Sequence, residues 1–216
     1  VDSTTVSRLS SRPAEPGAWL AIREICCRTA NNGEPIARER WDFFARVWID
    51  PYEKIQPEWT YVAERGGAVV GYLTGCADTR AFERAKRRRL ALPLLMDVTW
   101  GAFRRIPGAR RLVLQQLGIK ESAERSFSPG LRRRIGRDYP AHLHMNVERE
   151  FRRAGVGSRL LEAYLGDLRR AAVPGVHLFC GPDPVAFYGR AGFQVFEVSR
   201  FRGGEVYAMG QRLGGG

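Results

Sequence analysis

Residues 141–170 set three patterns end to end: the alternating stretch AHLHMNV, the arginine and glycine loop FRRAGVG, and a run with Leu160, Leu161, Tyr164, Leu165 and Leu168 on one helical face. Strand, bare loop and amphipathic helix in that order leave few folds open. Glycine costs about 1 kcal/mol relative to alanine inside a helix, so Gly155 and Gly157 at the helix start have to serve the backbone. The first turn of a helix has four N–H groups without an intrahelical partner, at the positive end of its dipole. Glycines let a phosphate approach those amides, and Arg152 and Arg153 add guanidinium donors that suit phosphate oxygens. The spacing is not a dinucleotide fingerprint, which needs a third glycine where Leu160 stands, nor an NTPase phosphate loop, which needs Gly-Lys-Ser/Thr. On these residues alone, a glycine turn that merely starts an ordinary helix stays open.

The rest of the chain supplies a mixed set of elements. Residues 6–12 read as a first strand, with loose ends at 1–5 and in the terminal GGG. PGAWLAIREICCRT and RERWDFFARVWI each carry helical spacing, separated by the turn residues NNGEP. Pro51 and Pro57 are expected to bracket a loop. WTYVAE (59–64) and AVVGYLTGCA (68–77) form a hairpin across Gly66-Gly67. Residues 79–137 look helical, dense in arginine, broken at Pro93 and at Pro107-Gly108, with a flexible loop at KESAERSFSPG. After the strand, loop and helix of 141–170 come the strand GVHLFC (175–180), a short helix at 184–192 and a terminal hairpin across Gly203-Gly204. Asp183 before Pro184 reads as the N-cap of that short helix. The order is that of a mixed α/β domain.

Composition narrows the class. Of 216 residues, 44% are hydrophobic and 27% charged, as in a soluble globular protein. No apolar run reaches the roughly 20 residues that span a bilayer, and the N-terminus lacks a signal-peptide core. The expectation is an intracellular, cytoplasmic protein with no membrane partner. Cys26, Cys27, Cys76 and Cys180 show no zinc spacing and are expected as reduced thiols; no metal is expected. The net charge of +12, nearly all arginine, attracts anions. Nucleic acid is an unlikely partner, because stacking aromatics are not interleaved with the basic residues.

VEREFRRAGVGSRLLEAYL resembles the acetyl-CoA-binding motif of the GNAT superfamily, Arg/Gln-x-x-Gly-x-Gly/Ala, at Arg152 to Gly157. VAFYGRAGF (185–193) largely matches a second GNAT landmark at a fitting interval. YPAHLHMNV, VPGVHLFCG and VVGYLTGCADTRAF are similar to the acetyltransferase-like domain of O-GlcNAcases and its stand-alone bacterial relatives, which also carry an arginine-rich helical insert. The resemblance is strong over 139–201 and follows element order in the N-terminal half. It implies a GNAT fold: a central, mostly antiparallel sheet splayed at the acyl-CoA site, flanked by helices, with a helical insert between strands 3 and 4. The expected organisation is one domain, 1–216, made of an N-terminal half (6–78), the insert (79–137) and an acetyl-CoA-binding half (138–212).

The function implied is acetyl-CoA-dependent N-acetyl transfer to an amine of a small molecule or protein. The alternatives are a silent GNAT-fold binding or sensor module and, further off, a nucleic-acid binder; a homodimer is compatible with the sequence. By resemblance, the pantetheine arm lies along backbone groups of Met145, Asn146 and Val147, and an N–H near Met145 serves the oxyanion. The diphosphate takes N–H groups of Arg152, Arg153, Ala154, Gly155, Val156, Gly157 and Ser158, and Phe187 packs the core or the arm. Tyr188 matches the superfamily tyrosine that protonates the departing thiolate. The asparagine common in the last helix is missing, since spacing puts Gly181 or Asp183 there.

The base is a separate question. Strand alternation puts His142, His144 and Asn146 on one face, opposite Leu143, Met145 and Val147. Either histidine can take a proton near neutral pH, or both are structural; His177 reads as structural. Asp78 is a candidate to bind or deprotonate a cationic acceptor, or else a helix N-cap. Tyr139 is expected to open the same strand as the histidines and to face the cleft as an acceptor contact.

Overall fold

The computed structural model describes residues 4–9, 16–30, 33–118 and 122–214. Seven strands form one sheet in the order β1-β2-β3-β4-β5-β7-β6. They are β1 (Thr5–Arg8), β2 (Thr60–Arg65), β3 (Ala68–Cys76), β4 (Ala141–Val147), β5 (Gly175–Cys180), β6 (Gln194–Phe201) and β7 (Gly204–Arg212). Every neighbouring pair is antiparallel except β4 and β5, which run parallel and pair only at Ala141↔Val176 and His142↔His177. Beyond those two rungs the strands part. The mostly antiparallel, splayed sheet expected from the resemblance is therefore what the chain forms.

Helices cover both faces. On one, α7 (Val156–Arg170) lays its leucine stripe over Leu73, Leu143, Val176 and Leu178. Burying four to six such side chains at about 1.5–3 kcal/mol each makes this the dominant attachment. The Tyr164 hydroxyl lies 2.7 Å from the His142 carbonyl and 3.0 Å from that of Cys76, tying α7 to both β3 and β4. Gly75 has to be bare there, because a Cβ would come within 2.7 Å of the Tyr164 ring. On the other face, α1 (Pro16–Thr29) buries Trp19, Ile22, Ile25 and Cys26 against Val62 and Tyr72.

Several elements differ from expectation. β1 ends at Arg8 and Leu9 turns away; positions 10–12 of the expected strand lie outside the described residues, as do 1–3, 31–32 and the last two glycines. Between α2 (Trp41–Trp48) and β2, where prolines suggested a loop, α3 (Asp50–Ile55) forms. Pro51 sits in its first turn, where an amide N–H has no intrahelical partner to lose. Between β3 and β4 run α4 (Thr79–Thr99), α5 (Ala109–Gln116) and α6 (Pro129–Asp138). Pro93 does not break α4: Pro93 and Arg89 are both exposed, so the carbonyl the proline cannot bond is left to water. The stretch expected as a flexible loop contains a 3-10 turn at Ala123–Ser126 and the cap of α6, where Ser128 Oγ accepts from the Leu131 N–H. Residues 120 and 121 of it are outside the described set, as is 119 before it. α8 (Val185–Arg190) starts after Pro184 with no side-chain cap, so Asp183 does not serve as one. All four cysteines are free thiols.

Candidate active site

Two cavities border β4 where it leaves β5. The first, about 960 Å³, is walled by the loop before α7, by α7 itself and by α8. The second, about 470 Å³, lies between α2, α3, the insert and the β6–β7 hairpin. Met145 lines the first and His142 and His144 the second, so a single strand borders both.

The first cavity begins at the glycine loop. Gly155 has φ +77°, a left-handed conformation that an L side chain resists, and it sets the entry of α7. Arg153, two residues earlier, takes φ +63° without being glycine, a strained position in the loop before the helix. No side chain caps α7, so the N–H groups of Val156, Gly157 and Ser158 have no intrahelical partner. A Cβ at Gly157 would stand in ordinary contact, 3.4 Å from the Phe187 ring and 3.6 Å from Met145, taking up room at the cavity wall without a clash. Of the two glycines, only Gly155 is required by its backbone conformation.

Of the residues expected to hold the cofactor, Met145, Val147, Arg152, Arg153, Gly155, Gly157, Ser158 and Phe187 line this cavity. Three do not. The Val156 side chain is 1% exposed and belongs to the core, leaving only its amide for a ligand. Ala154 is exposed on the outer side of the loop. Asn146 is corrected by register. Glu148 N–H donates to the Val70 carbonyl, so the hydrogen-bonded pairs of β3 and β4 fall on 148, 146, 144 and 142. The backbone groups of Leu143, Met145 and Val147 therefore face the splay, and those of Asn146 serve β3. Asn146 Nδ2 instead donates to the Tyr72 hydroxyl at 2.9 Å. The Arg152 guanidinium donates to the Val147 carbonyl at 3.1 Å across the same opening.

Arg190, Arg169 and Asp183 also line the cavity, and of these the sequence pointed only to Asp183, as an alternative at the missing asparagine's place. The only sequence signal for the two arginines was their place in the last turns of α8 and α7. Together with Arg152 and Arg153 they outnumber Asp183 and Glu162, leaving the cavity cationic. Tyr188 is buried on α8 between Phe187 and Phe193, and its ring lines the same cavity. No group among the described residues hydrogen-bonds its hydroxyl. Burial, reinforced by the Cys180 thiol, raises its pKa and keeps it protonated.

The second cavity holds the imidazoles. His142 is locked. Thr79 Oγ1 donates to the Pro140 carbonyl at 2.7 Å, so it can only accept from His142 Nδ1, 2.8 Å away. That assignment puts the ring proton on Nδ1 and leaves Nε2 to accept from the Tyr52 hydroxyl at 2.9 Å. Burial and the neighbouring His177 and Lys86 charges push His142 well below its usual pKa. His144 stacks against Trp48 with ring centroids 6.0 Å apart, and with its ring proton on Nδ1, facing the Tyr72 hydroxyl oxygen at 3.5 Å, Nε2 is unprotonated and has no partner among the described residues. Burial lowers its pKa to about 4. His177 Nδ1 donates to the Tyr139 carbonyl at 2.7 Å and its pKa falls to about 4 for the same reason. Tyr52, Trp48, Phe82 and Phe179 give the cavity an aromatic wall, with Glu83 and Glu124 on the insert side. Tyr52 escaped the sequence because its segment looked like a loop.

Two expected acceptor contacts stand elsewhere. Asp78 is exposed and outside the cavity lining; its Oδ1 accepts from the N–H groups of Arg80 and Ala81 at 2.8 and 3.0 Å, capping α4. Tyr139 ends α6 instead of opening β4. It is 3% exposed, and its ring packs on Phe196 between Arg134 and Arg212, away from the cleft.

No protein-family profile matches the chain. Among solved structures it is similar to SsHAT, with 28% identity, TM-score 0.72, and 99% of this chain and 100% of that chain covered. It is also similar to Ard1 from Thermoplasma volcanium (18% identity, TM-score 0.53, 97% of each chain). A third is the ribosomal-protein-S18-alanine N-acetyltransferase from Escherichia coli (14% identity, TM-score 0.52, 99% of this chain and 96% of that one). At those last two identities the likeness is one of fold. Splayed sheet, bare helix start and whole-length likeness agree, and the chain has the fold of the GNAT acetyltransferases.

Proposed function

We propose that the protein transfers the acetyl group of acetyl-CoA directly to the neutral nitrogen of an amine. The observation that carries this reading is the exposed edge of β4, which borders a cationic cavity with free helix amides on one side and a cavity with a free imidazole nitrogen on the other. The first cavity fits acetyl-CoA: unpartnered N–H groups at 156–158, a glycine where any Cβ would narrow the passage, and arginines for phosphate. When bound, acetyl-CoA supplies the activated acyl group. The amides of residues 156–158, with Arg152, Arg153 and Arg190, would hold its diphosphate, and the open groups of Met145 with the Val147 N–H its pantetheine arm.

The amine enters the second cavity. As its lone pair forms the C–N bond, the nitrogen becomes acidic and His144 Nε2 accepts its proton. The Met145 N–H faces the oxygen that gains charge. Tyr188, kept protonated by burial, donates to the sulfur as the C–S bond breaks. His142 holds Tyr52 in place and takes no proton. We give Asp78 and Tyr139 no part in the chemistry. The division into 6–78, 79–137 and 138–212 within one domain goes with this proposal, as does a primary amine as acceptor.

Gly157→Trp is the direct test. The indole would fill the space beside Phe187, and isothermal calorimetry is expected to show CoA affinity reduced on the order of a hundredfold, with the melting temperature little changed. Unchanged affinity would overturn the loop assignment. CoA release with an amine panel separates transfer from binding alone, and silence across the panel would favour a non-catalytic module.

A further inference from the structure

The C-terminal half of α4 is apolar on two opposite faces. Leu94 and Val98, at 5% exposure each, pack with Val113 and Leu117 of the insert and Phe43 and Val47 of α2. About 180° around the helix, Leu92, Met96 and Trp100 follow one another at four-residue spacing and are 68%, 52% and 75% exposed. They form a stripe about 12 Å long. A helix that is apolar all round is normally buried all round, and contiguous exposed patches of this kind mark contact surfaces.

The charge around the stripe selects what covers it. Arg88 and Arg89 sit on the same face one turn earlier, and Arg104 and Arg105 follow in the next turn, all four exposed. Between residues 84 and 118 nine basic side chains meet one acid, Asp97. That acid is held by Arg46 at 2.6 Å. A second copy of this chain would bring two such arginine rims together. A nucleic acid would satisfy the arginines and leave Leu92, Met96 and Trp100 in water. A lipid surface with acidic headgroups satisfies both, with the tryptophan and aliphatic side chains at the headgroup–acyl boundary and the guanidinium groups on phosphate.

We infer that the insert docks on an anionic lipid surface through Leu92, Met96 and Trp100. No helix among the described residues is long and apolar enough to cross a membrane. The expectation of no membrane partner rested on the lack of a spanning run, and a surface contact needs none. Docking is independent of the transfer reaction, since none of these residues lines either cavity.

The test is sedimentation of the full chain with vesicles of phosphatidylcholine, with and without phosphatidylglycerol. Pelleting is expected only with the anionic vesicles, weakening as salt rises. The triple variant L92Q/M96Q/W100Q should lose affinity by on the order of a hundredfold while keeping its melting temperature and CoA binding. R104E/R105E should lose roughly tenfold or more. Failure of the wild type to pellet with either vesicle, or equal pelleting of the triple variant, overturns the inference. So does a dimer that the triple variant abolishes in sedimentation velocity. Binding to a duplex DNA that displaces the vesicles and survives the triple substitution would assign the arginines to nucleic acid instead.

Discussion

His142 and His144 lie two residues apart on one strand, and their surroundings give them opposite availability. Both nitrogens of His142 are engaged by Thr79 and Tyr52, while His144 leaves Nε2 free. With a pKa near 4, His144 is neutral throughout the range in which an amine acceptor becomes nucleophilic. It is too weak a base to strip an ammonium ion in the ground state, so the acceptor has to arrive neutral. kcat/KM is therefore expected to climb about tenfold per pH unit up to the amine's own pKa, without a break near 6.5. His144→Gln should lower kcat at every pH. A break near 6.5 that vanishes in His144→Gln would show that the imidazole titrates normally and is wrongly placed here. Strand alternation put these histidines on one face, and that much was legible. Which ring nitrogen stays free was not, because Tyr52 lies 90 residues away in sequence and meets His142 only once the sheet has formed.

At the scale of elements, local chemistry explains most of what the sequence disclosed and most of what it hid. The strand, loop and helix of 141–170 were legible because each carries its own period and a glycine boundary. Prolines misled twice, at Pro51 and Pro93, since whether a proline breaks a helix depends on its position in the helix and on whether water can reach the abandoned carbonyl. Asp78 was ambiguous for a related reason: one carboxylate pattern serves a cap and a catalyst alike. With the capping geometry in hand, Asp78→Ala is expected to lower stability by about 1 kcal/mol in urea denaturation while kcat stays within twofold of wild type. A large loss of kcat at unchanged stability would return Asp78 to the chemistry. Tyr139 was misassigned because β4 begins at Ala141, as its alternation predicts, which leaves Tyr139 as the residue that ends α6.

For the whole molecule, three imidazoles inside one fold have a cost that pH reveals. His144 and His177 are pushed to about 4, and His142 also shifts downward, all chiefly by burial. Between about pH 6.5 and pH 4 the unfolded chain takes up protons that the folded chain refuses. Stability therefore falls as pH falls through that window, by up to about 3 kcal/mol each for His144 and His177. Thermal melts from pH 7.5 to 5 should show the decline, shallower in His177→Gln; a flat profile above pH 5 would mean the rings are wetter than the fold implies. The order β5-β7-β6 could not be read from sequence, since placing the last strand between two earlier ones is a long-range choice that no local pattern encodes.

The Tyr164 hydroxyl beneath the carbonyls of His142 and Cys76 acts as a rivet. It fixes the rim made of β3 and β4, while β5, the next strand, stands across the gap with the hairpin bonded to it. The β5 side carries Phe179 and Arg202 on one wall and leads on to α8, with Tyr188, on the other. The two mouths thus share one continuous stretch of backbone, and a substitution that shifts β5 is felt at both.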